Sequence, residues 1–413
     1  MNKLLIKGAR IINPVQGIDV IGDILLQDGK ISAVGGNITC DSAQIVDAHG
    51  LVAAPGLVDM HVHLRDPGFT YKEDILSGCR AAAAGGVTSL LAMPNTNPVT
   101  DTPETVRDIL SRAQKADARV YVAAAITQGL KSEQLCDLAV LKNAGAVALS
   151  DDGRPVETAA LMAQAMTQAP KLNLKIVSHC EDISLTKTGF SYASEDCGTA
   201  REIALAAAFD VPVHICHVST AASAALIRDA KLRGVQVTAE TAPHYIMLTE
   251  SELQRRDADY RMNPPLRSEE DRLAIIDAIL DGTIDAIATD HAPHSPDEKA
   301  NFLTAPNGSI GMETSLAVCI TALVKTGSMD LSQLIERMSF NPAYILGLNA
   351  GTLNVGAPAD VVLFDENEEW TVDETKLHGK SRNTPFKGLT LTGKVKMTIC
   401  RSEIVYNDSR KVR

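Results

Sequence analysis

Eight short β-rich runs, each followed by a longer Ala-rich stretch of helical composition, predict that residues 51–351 fold as a (β/α)8 TIM barrel, an α/β architecture. The runs extend from Leu51 to Asp290, close to the roughly 250 residues typical of such barrels. No glycine-rich dinucleotide fingerprint follows the first run, which argues against the doubly wound open sheet.

The runs cover residues 51–60, 87–93, 119–126, 146–149, 174–178, 211–216, 235–239 and 285–289. The intervening segments 103–116 and 220–233 have helical spacing, with Thr102 and either Ser219 or Thr220 as N-caps. The two ends differ from this middle. Residues 1–50 and 352–413 carry short alternating strands broken by turn signals at Asp28-Gly29, Gly35-Gly36 and Gly356-Ala357-Pro358. Neither end holds enough apolar residues for a core of its own. The two are therefore expected to pair into one small β-sandwich domain beside the barrel.

Composition narrows the function classes. A chain of 413 residues with 45% hydrophobic and 22% charged residues is ordinary for a globular protein. A net charge of −12 argues against nucleic-acid or anionic-membrane binding, both of which call for a basic face. No charge-free apolar run approaches 18 residues, so no transmembrane helix is expected. Lys7 and Arg10 interrupt any signal-peptide core near the N-terminus. The eight cysteines include no CxxC pair, which fits neither a zinc ribbon nor a disulfide framework, and a reducing cytoplasm is the expected location.

The chemistry is concentrated where the runs end. His61 and His63 share a face of the first strand while Val62 points away, and two imidazoles so placed can grip one metal ion. Arg65 continues the alternation towards an anionic substrate. An isolated HxH would more often be two hydrogen-bonded surface histidines. Here, however, Asn95 follows the second run, Asp151-Asp152 the fourth, His179 the fifth, His217 the sixth, and Asp290 and His294 the eighth. In a barrel those ends form the C-terminal face, where active sites lie. Four imidazoles and two carboxylates suit zinc or a similar divalent ion. One partition places His61 and His63 on one ion and His179 and His217 on a second, with Asp151 bridging and Asp290 at the edge. Asp152 competes with Asp151, since alternation turns only one of the two inward. Paired ions acidify a water and polarise a carbonyl, and Asp290 can move the proton to a leaving nitrogen. Hydrolysis or formation of an amide C–N bond is the chemistry indicated. His214, His244, His291 and Glu181 are read as packing, lining or supporting residues around these ligands.

The segments HVHLRDPG (61–68), MPNTNP (93–98), SDDG (150–153), SHCED (178–182), HICHVST (214–220), AETAPHY (239–245), MNPPLR (262–267) and TDHAPH (289–294) resemble those of the dihydroorotase family in the amidohydrolase superfamily. PNGSIGMET (306–314), NPA (341–343) and APADVVLFD (357–365) extend the resemblance over essentially the whole chain. It implies zinc-dependent, reversible cyclisation of N-carbamoyl-L-aspartate to L-dihydroorotate in pyrimidine synthesis, with one or two zinc ions, two favoured. It further implies that His61 and His63 bind the first metal and His179 and His217 the second, with Asp290 as general acid/base. Arg65, Asn95 and His294 are the implied holders of the substrate carboxylate, and Asn263 the implied contact to the ring amide, with backbone near Asn307 and Gly308 closing over it. Many relatives bridge their metals with a carbamylated lysine; Lys142 precedes the fourth run, so the chain resembles the aspartate-bridged branch. A homo-oligomer able to associate with aspartate transcarbamoylase is a further expectation. Two other readings remain: an allantoinase or dihydropyrimidinase, whose substrates lack the ring carboxylate, or a non-catalytic scaffold subunit, which should have lost metal ligands.

Overall fold

The strand Leu57–Val62 opens a sheet whose eight members run parallel and in chain order, and whose last neighbour returns to the first. The other seven are Val87–Ala92, Arg119–Ala124, Ala148–Leu149, Lys175–Ser178, Val213–Ile215, Val237–Thr241 and Ala286–Ile287. A parallel bridge between Val62 and His291 closes the ring, supported by the His63 N–H donating to the His291 carbonyl at 2.8 Å. The predicted barrel is therefore present in this computed structural model, which describes residues 3–408.

Alternation along the strands sorts the side chains into two layers, broken in Leu57–Val62 by an irregularity between Asp59 and Val62 that puts Met60 and Val62 on opposite sides. Met60, Leu91, Ala123, Ala148, Val177, Cys216 and Ala286 form one buried cluster inside the barrel. Val62, Leu90, Val122, Leu149, Ile176, Ile215 and Ile287 belong to the larger cluster under the surrounding helices. Small residues let those helices lie close: Ala81, Ala82 and Ala83 of Ile75–Ala84 are all buried. The helix starts are pinned by side-chain caps. Asp74, Thr102 and Thr220 accept from the backbone N–H of Ser77, Thr105 and Ser223, each cap being worth about 1 kcal/mol. Thr220, rather than Ser219, is thus the cap of Ala221–Leu232, and the segment read as 103–116 is the α-helix Pro103–Arg112 followed by a 3-10 turn.

The terminal segments build one sheet in the order Glu403–Asn407, Thr390–Cys400, Val361–Thr371, Val52–Pro55, Lys3–Asn13, Ile18–Gln27, Lys30–Gly35, with Gln44–Asp47 also on Lys3–Asn13. Leu4, Ile6, Ile11, Ile24 and Leu26 from the N-terminal end and Val361, Leu363 and Ile399 from the C-terminal end share its core. One expectation needs correction here. The run 51–60 is two strands: Val52–Pro55 pairs antiparallel with the strand containing Val361 and Phe364, and only Leu57–Val62 enters the barrel. Both pieces are buried throughout, so no change of alternation marks the break. Gly56 makes the passage possible, because a Cβ there would sit 2.2 Å from the Thr88 hydroxyl oxygen. Among the described residues, no helix is long and apolar enough to cross a membrane.

Candidate metal centre and active site

All four strand-end histidines and two carboxylates converge at the C-terminal face of the barrel. The His61 and His63 ring centroids are 5.4 Å apart, His61 and His217 5.1 Å, and His179 and His217 4.7 Å. Asp290 reaches the same place: its Oδ1 lies 3.1 Å from His63 Nε2 and 3.7 Å from His61 Nε2. The backbone bends sharply to achieve this. Arg65, His217 and Asp290 have φ of 60°, 36° and 47°, left-handed conformations that cost a non-glycine residue energy and tend to occur at functional sites.

The carboxylate at the centre is Asp152, not Asp151. Asp152 lies 3.2 Å from His61, 3.4 Å from His63, 3.5 Å from His179 and 3.8 Å from His217, nitrogen to oxygen in each case. Asp151 points the other way. It accepts the backbone N–H of Ile126 at 2.7 Å and of Thr127 at 3.0 Å, together with the Thr127 hydroxyl. Burial lifts its carboxyl to about 6 despite those bonds. Strand parity explains the difference: Ala148 faces the barrel interior, so 150 and 152 share its side while Leu149 and Asp151 face outward. Counting from Ala148 would have chosen correctly.

Three of the histidines are oriented from behind. His61 Nδ1 pairs with Glu240 at 2.8 Å, His63 Nδ1 with the Asn95 side-chain oxygen at 2.8 Å, and His179 Nε2 with Glu181 at 2.6 Å. Each outer nitrogen donates to an oxygen, so the inner one presents a lone pair, the arrangement that metal-binding imidazoles need. Glu240 is a residue the sequence reading missed. Its signal was a carboxylate within the buried run of a barrel strand, where an unpaired charge would be prohibitive. His214 lies 3.3 Å from the same carboxylate and bonds Thr238, consistent with a supporting place outside the ligand set. His291 also stands apart: its Nδ1 accepts the Gly311 N–H at 3.2 Å. His244 is buried with its Nε2 unpaired, and burial lowers it to about 4.

The donor set fits divalent metal. His61 Nε2 and Asp152 Oδ1 are buried, close together and without a hydrogen bond, which a cation between them would satisfy. The groups His61/His63/Asp290 and His61/Asp152/His217 each bring three ligand atoms within 4.8 Å. His179 Nδ1 and His217 Nε2 lie 2.8 Å apart on the far side of Asp152, enough for a second position. Asp290 carries opposing influences: burial raises its carboxyl, but with protons on the inner nitrogens in place of a cation the His63 hydrogen bond and the charges of His61, His63 and His217 bring it to about 2.

Beside this centre lies a group of donors. Arg65 Nη2 and His294 Nε2 are 3.4 Å apart, and Arg65 Nε is held by the Pro293 carbonyl at 3.1 Å. Two N–H-bearing groups converging in this way invite a shared acceptor such as a carboxylate. Asn95 lies between the two regions, its Nδ2 3.3 Å from Asp152. Asn263 stands on the opposite side, donating to Glu181 at 3.3 Å. The structure thus gathers His61, His63, His179, His217 and Asp290 around Asp152, sets Arg65, Asn95, His294 and Asn263 beside them, and turns Asp151 away.

Comparison with known proteins identifies the family. The family model described as the amidohydrolase family matches residues 52–405. A dihydroorotase of Geobacter sp. (strain M21) is 47% identical over 421 aligned residues, covering 98% of this chain and 99% of that protein. A dihydroorotase of Ruminiclostridium cellulolyticum is 47% identical, covering 96% and 97%. Among solved structures, the L-hydantoinase (dihydropyrimidinase) from Arthrobacter aurescens superposes with a TM-score of 0.90 at 26% identity, covering 98% of this chain and 96% of that one. The chain belongs to the amidohydrolase family and, within it, to the dihydroorotases.

Proposed function

We propose that the chain catalyses the reversible, zinc-dependent interconversion of N-carbamoyl-L-aspartate and L-dihydroorotate, a step of pyrimidine synthesis, in a reducing cytoplasm. The observation that carries this reading is the position of Asp152 against all four histidines, with the Arg65–His294 donors alongside. His61, His63 and Asp290 would hold one zinc ion and His179 and His217 the other, with Asp152 common to both. When bound, such ions supply Lewis acidity and make hydroxide available at neutral pH.

The chain's own groups do the rest. Arg65, Asn95 and His294 hold the carboxylate that the ring bears, and Asn263 orients the ring amide. In the hydrolytic direction water adds to the ring amide carbonyl. Asp290 Oδ1 takes one proton from that water and delivers it to the ring nitrogen as the C–N bond breaks, while the second water proton leaves to solvent, giving a carboxylate and a ureido NH2. Cyclisation reverses each transfer. We extend the proposal to a homo-oligomer able to associate with aspartate transcarbamoylase, which co-elution of the two proteins tests.

The likeness to hydantoinases and dihydropyrimidinases favours one rival, cyclic amides without a carboxylate. Metal-stripped protein titrated with zinc separates the two. The expected result is dihydroorotate turnover that rises with zinc and saturates, with the second equivalent contributing. Turnover of hydantoin or dihydrouracil but not dihydroorotate would overturn the assignment.

A further inference from the structure

His294 is held by groups whose shorter contacts favour one protonation pattern. Its Nε2 lies 2.9 Å from the Asn307 carbonyl oxygen, which can only accept. Its Nδ1 lies 3.3 Å from Lys72 Nζ, which can only donate. Burial, followed by the charges of Arg65, Lys72 and Lys299, lowers the imidazole to about 3, so it is neutral and carries one N–H. Nε2 also faces Arg65 Nη2, which can only donate, but at a longer 3.4 Å, and the shorter contact to the Asn307 carbonyl places that proton on Nε2. Glu298 Oε2 also approaches Nδ1, at 3.5 Å, but it already accepts from the Ser295 N–H at 3.0 Å and the Ser295 hydroxyl at 3.2 Å.

Both partners are fixed in place. The Lys72 backbone N–H donates to Phe69, and its carbonyl accepts from Ser381. Its ammonium pairs with Glu298 at 2.8 Å and lies over the Phe69 ring at 5.3 Å, with only 12% of the side chain exposed. On the other side, Asn383 binds the His294 N–H and the carbonyls of Ala292 and Gly308. Gly308, at φ 137°, lets this backbone approach closely, since a Cβ there would be 3.0 Å from His294 Nε2.

We propose that Lys72 is a positioning residue that determines specificity for an anionic substrate, by holding His294 as the Nε2–H tautomer so that its donor faces the group bound by Arg65. Without Lys72 the imidazole could place its proton on Nδ1 towards Glu298 and present a lone pair, which repels a carboxylate. The Asn307 carbonyl gives up its hydrogen bond when the substrate carboxylate takes that N–H. The substrate half of this inference rests on the proposed function; the tautomer half does not.

Two readouts test it. Protein labelled with 15N-histidine, its His294 resonances assigned by their loss in H294N, should show a protonated Nε2 and an unprotonated Nδ1. Lys72→Met should shift that signature towards Nδ1–H or a mixture. It should also raise KM for dihydroorotate about tenfold, the scale of one charge-assisted hydrogen bond, with kcat changed less than about twofold. Lys72→Arg should restore both. A wild-type Nδ1–H signature, or a Lys72→Met protein with unaltered His294 resonances and KM, overturns the proposal. Absence of dihydroorotate turnover in the wild type would refute the function, while the nitrogen shifts would still decide the role of Lys72.

Discussion

Replacing Asp151 and Asp152 separately by alanine should divide stability from metal binding. Asp151 satisfies two buried backbone donors, Ile126 N–H at 2.7 Å and Thr127 N–H at 3.0 Å, as well as the Thr127 hydroxyl. Leaving a buried donor unpaired costs about 1–3 kcal/mol, so Asp151→Ala should lose roughly 2–5 kcal/mol of stability. The Ser150–Gly153 loop would loosen but its inward carboxylate would remain. Asp152 makes one protein hydrogen bond, from Asn95 at 3.3 Å, and otherwise faces imidazoles. Asp152→Ala should therefore cost little stability in metal-stripped protein. It should weaken zinc by more than the roughly 10–100-fold seen when a group merely supporting a ligand is removed. Thermal melts of stripped protein and zinc competition against a chromophoric chelator measure the two effects. A folded Asp151→Ala protein of wild-type stability that has lost zinc, or an Asp152→Ala protein that binds zinc normally, would refute the assignment.

Asp290→Asn should lower turnover in both directions by about 10²–10⁴-fold with an unchanged circular dichroism spectrum; near-wild-type rates would remove Asp290 from the mechanism. Glu240→Gln weakens the acceptor behind His61 and should reduce zinc affinity about 10–100-fold in direct titration. Gly308→Ala places a Cβ 2.8 Å from the Ala292 Cβ and 3.0 Å from His294 Nε2 at φ 137°. It should cost about 1–3 kcal/mol in thermal denaturation and raise KM more than it lowers kcat, and an unperturbed KM would argue against close packing of this loop on His294.

The barrel and its histidine ring were legible because both follow local rules. Buried parallel strands read as short apolar runs, and residues just beyond them must lie at one mouth of the barrel, wherever the runs fall in the chain. His61, His63, His179, His217 and Asp290 could thus be assembled without knowing any distance. The pairing of the two ends, expected over 1–50 and 352–413, followed from the same economy, since neither could bury a core alone, although Val52–Pro55 of their sheet was read as barrel strand.

What the local rules did not reach depended on exact backbone direction or on distant partners. The fourth barrel strand has only two residues, Ala148 and Leu149, so the sequence did not show that Ala148 is the inward one from which the count to Asp152 must start. His217 follows the inward-facing Cys216 and would face outward by alternation; its φ of 36° brings it back into the site. Glu240 stands 179 residues from the His61 it orients, and Lys72 222 residues from His294. Sequence by itself determined the architecture and which histidines gather at the barrel mouth, because period and composition are properties of neighbours. Only the tertiary structure decided which carboxylate lies at the centre and which groups set the imidazole tautomers, because a hydrogen bond depends on ångström distances that chain closure alone creates.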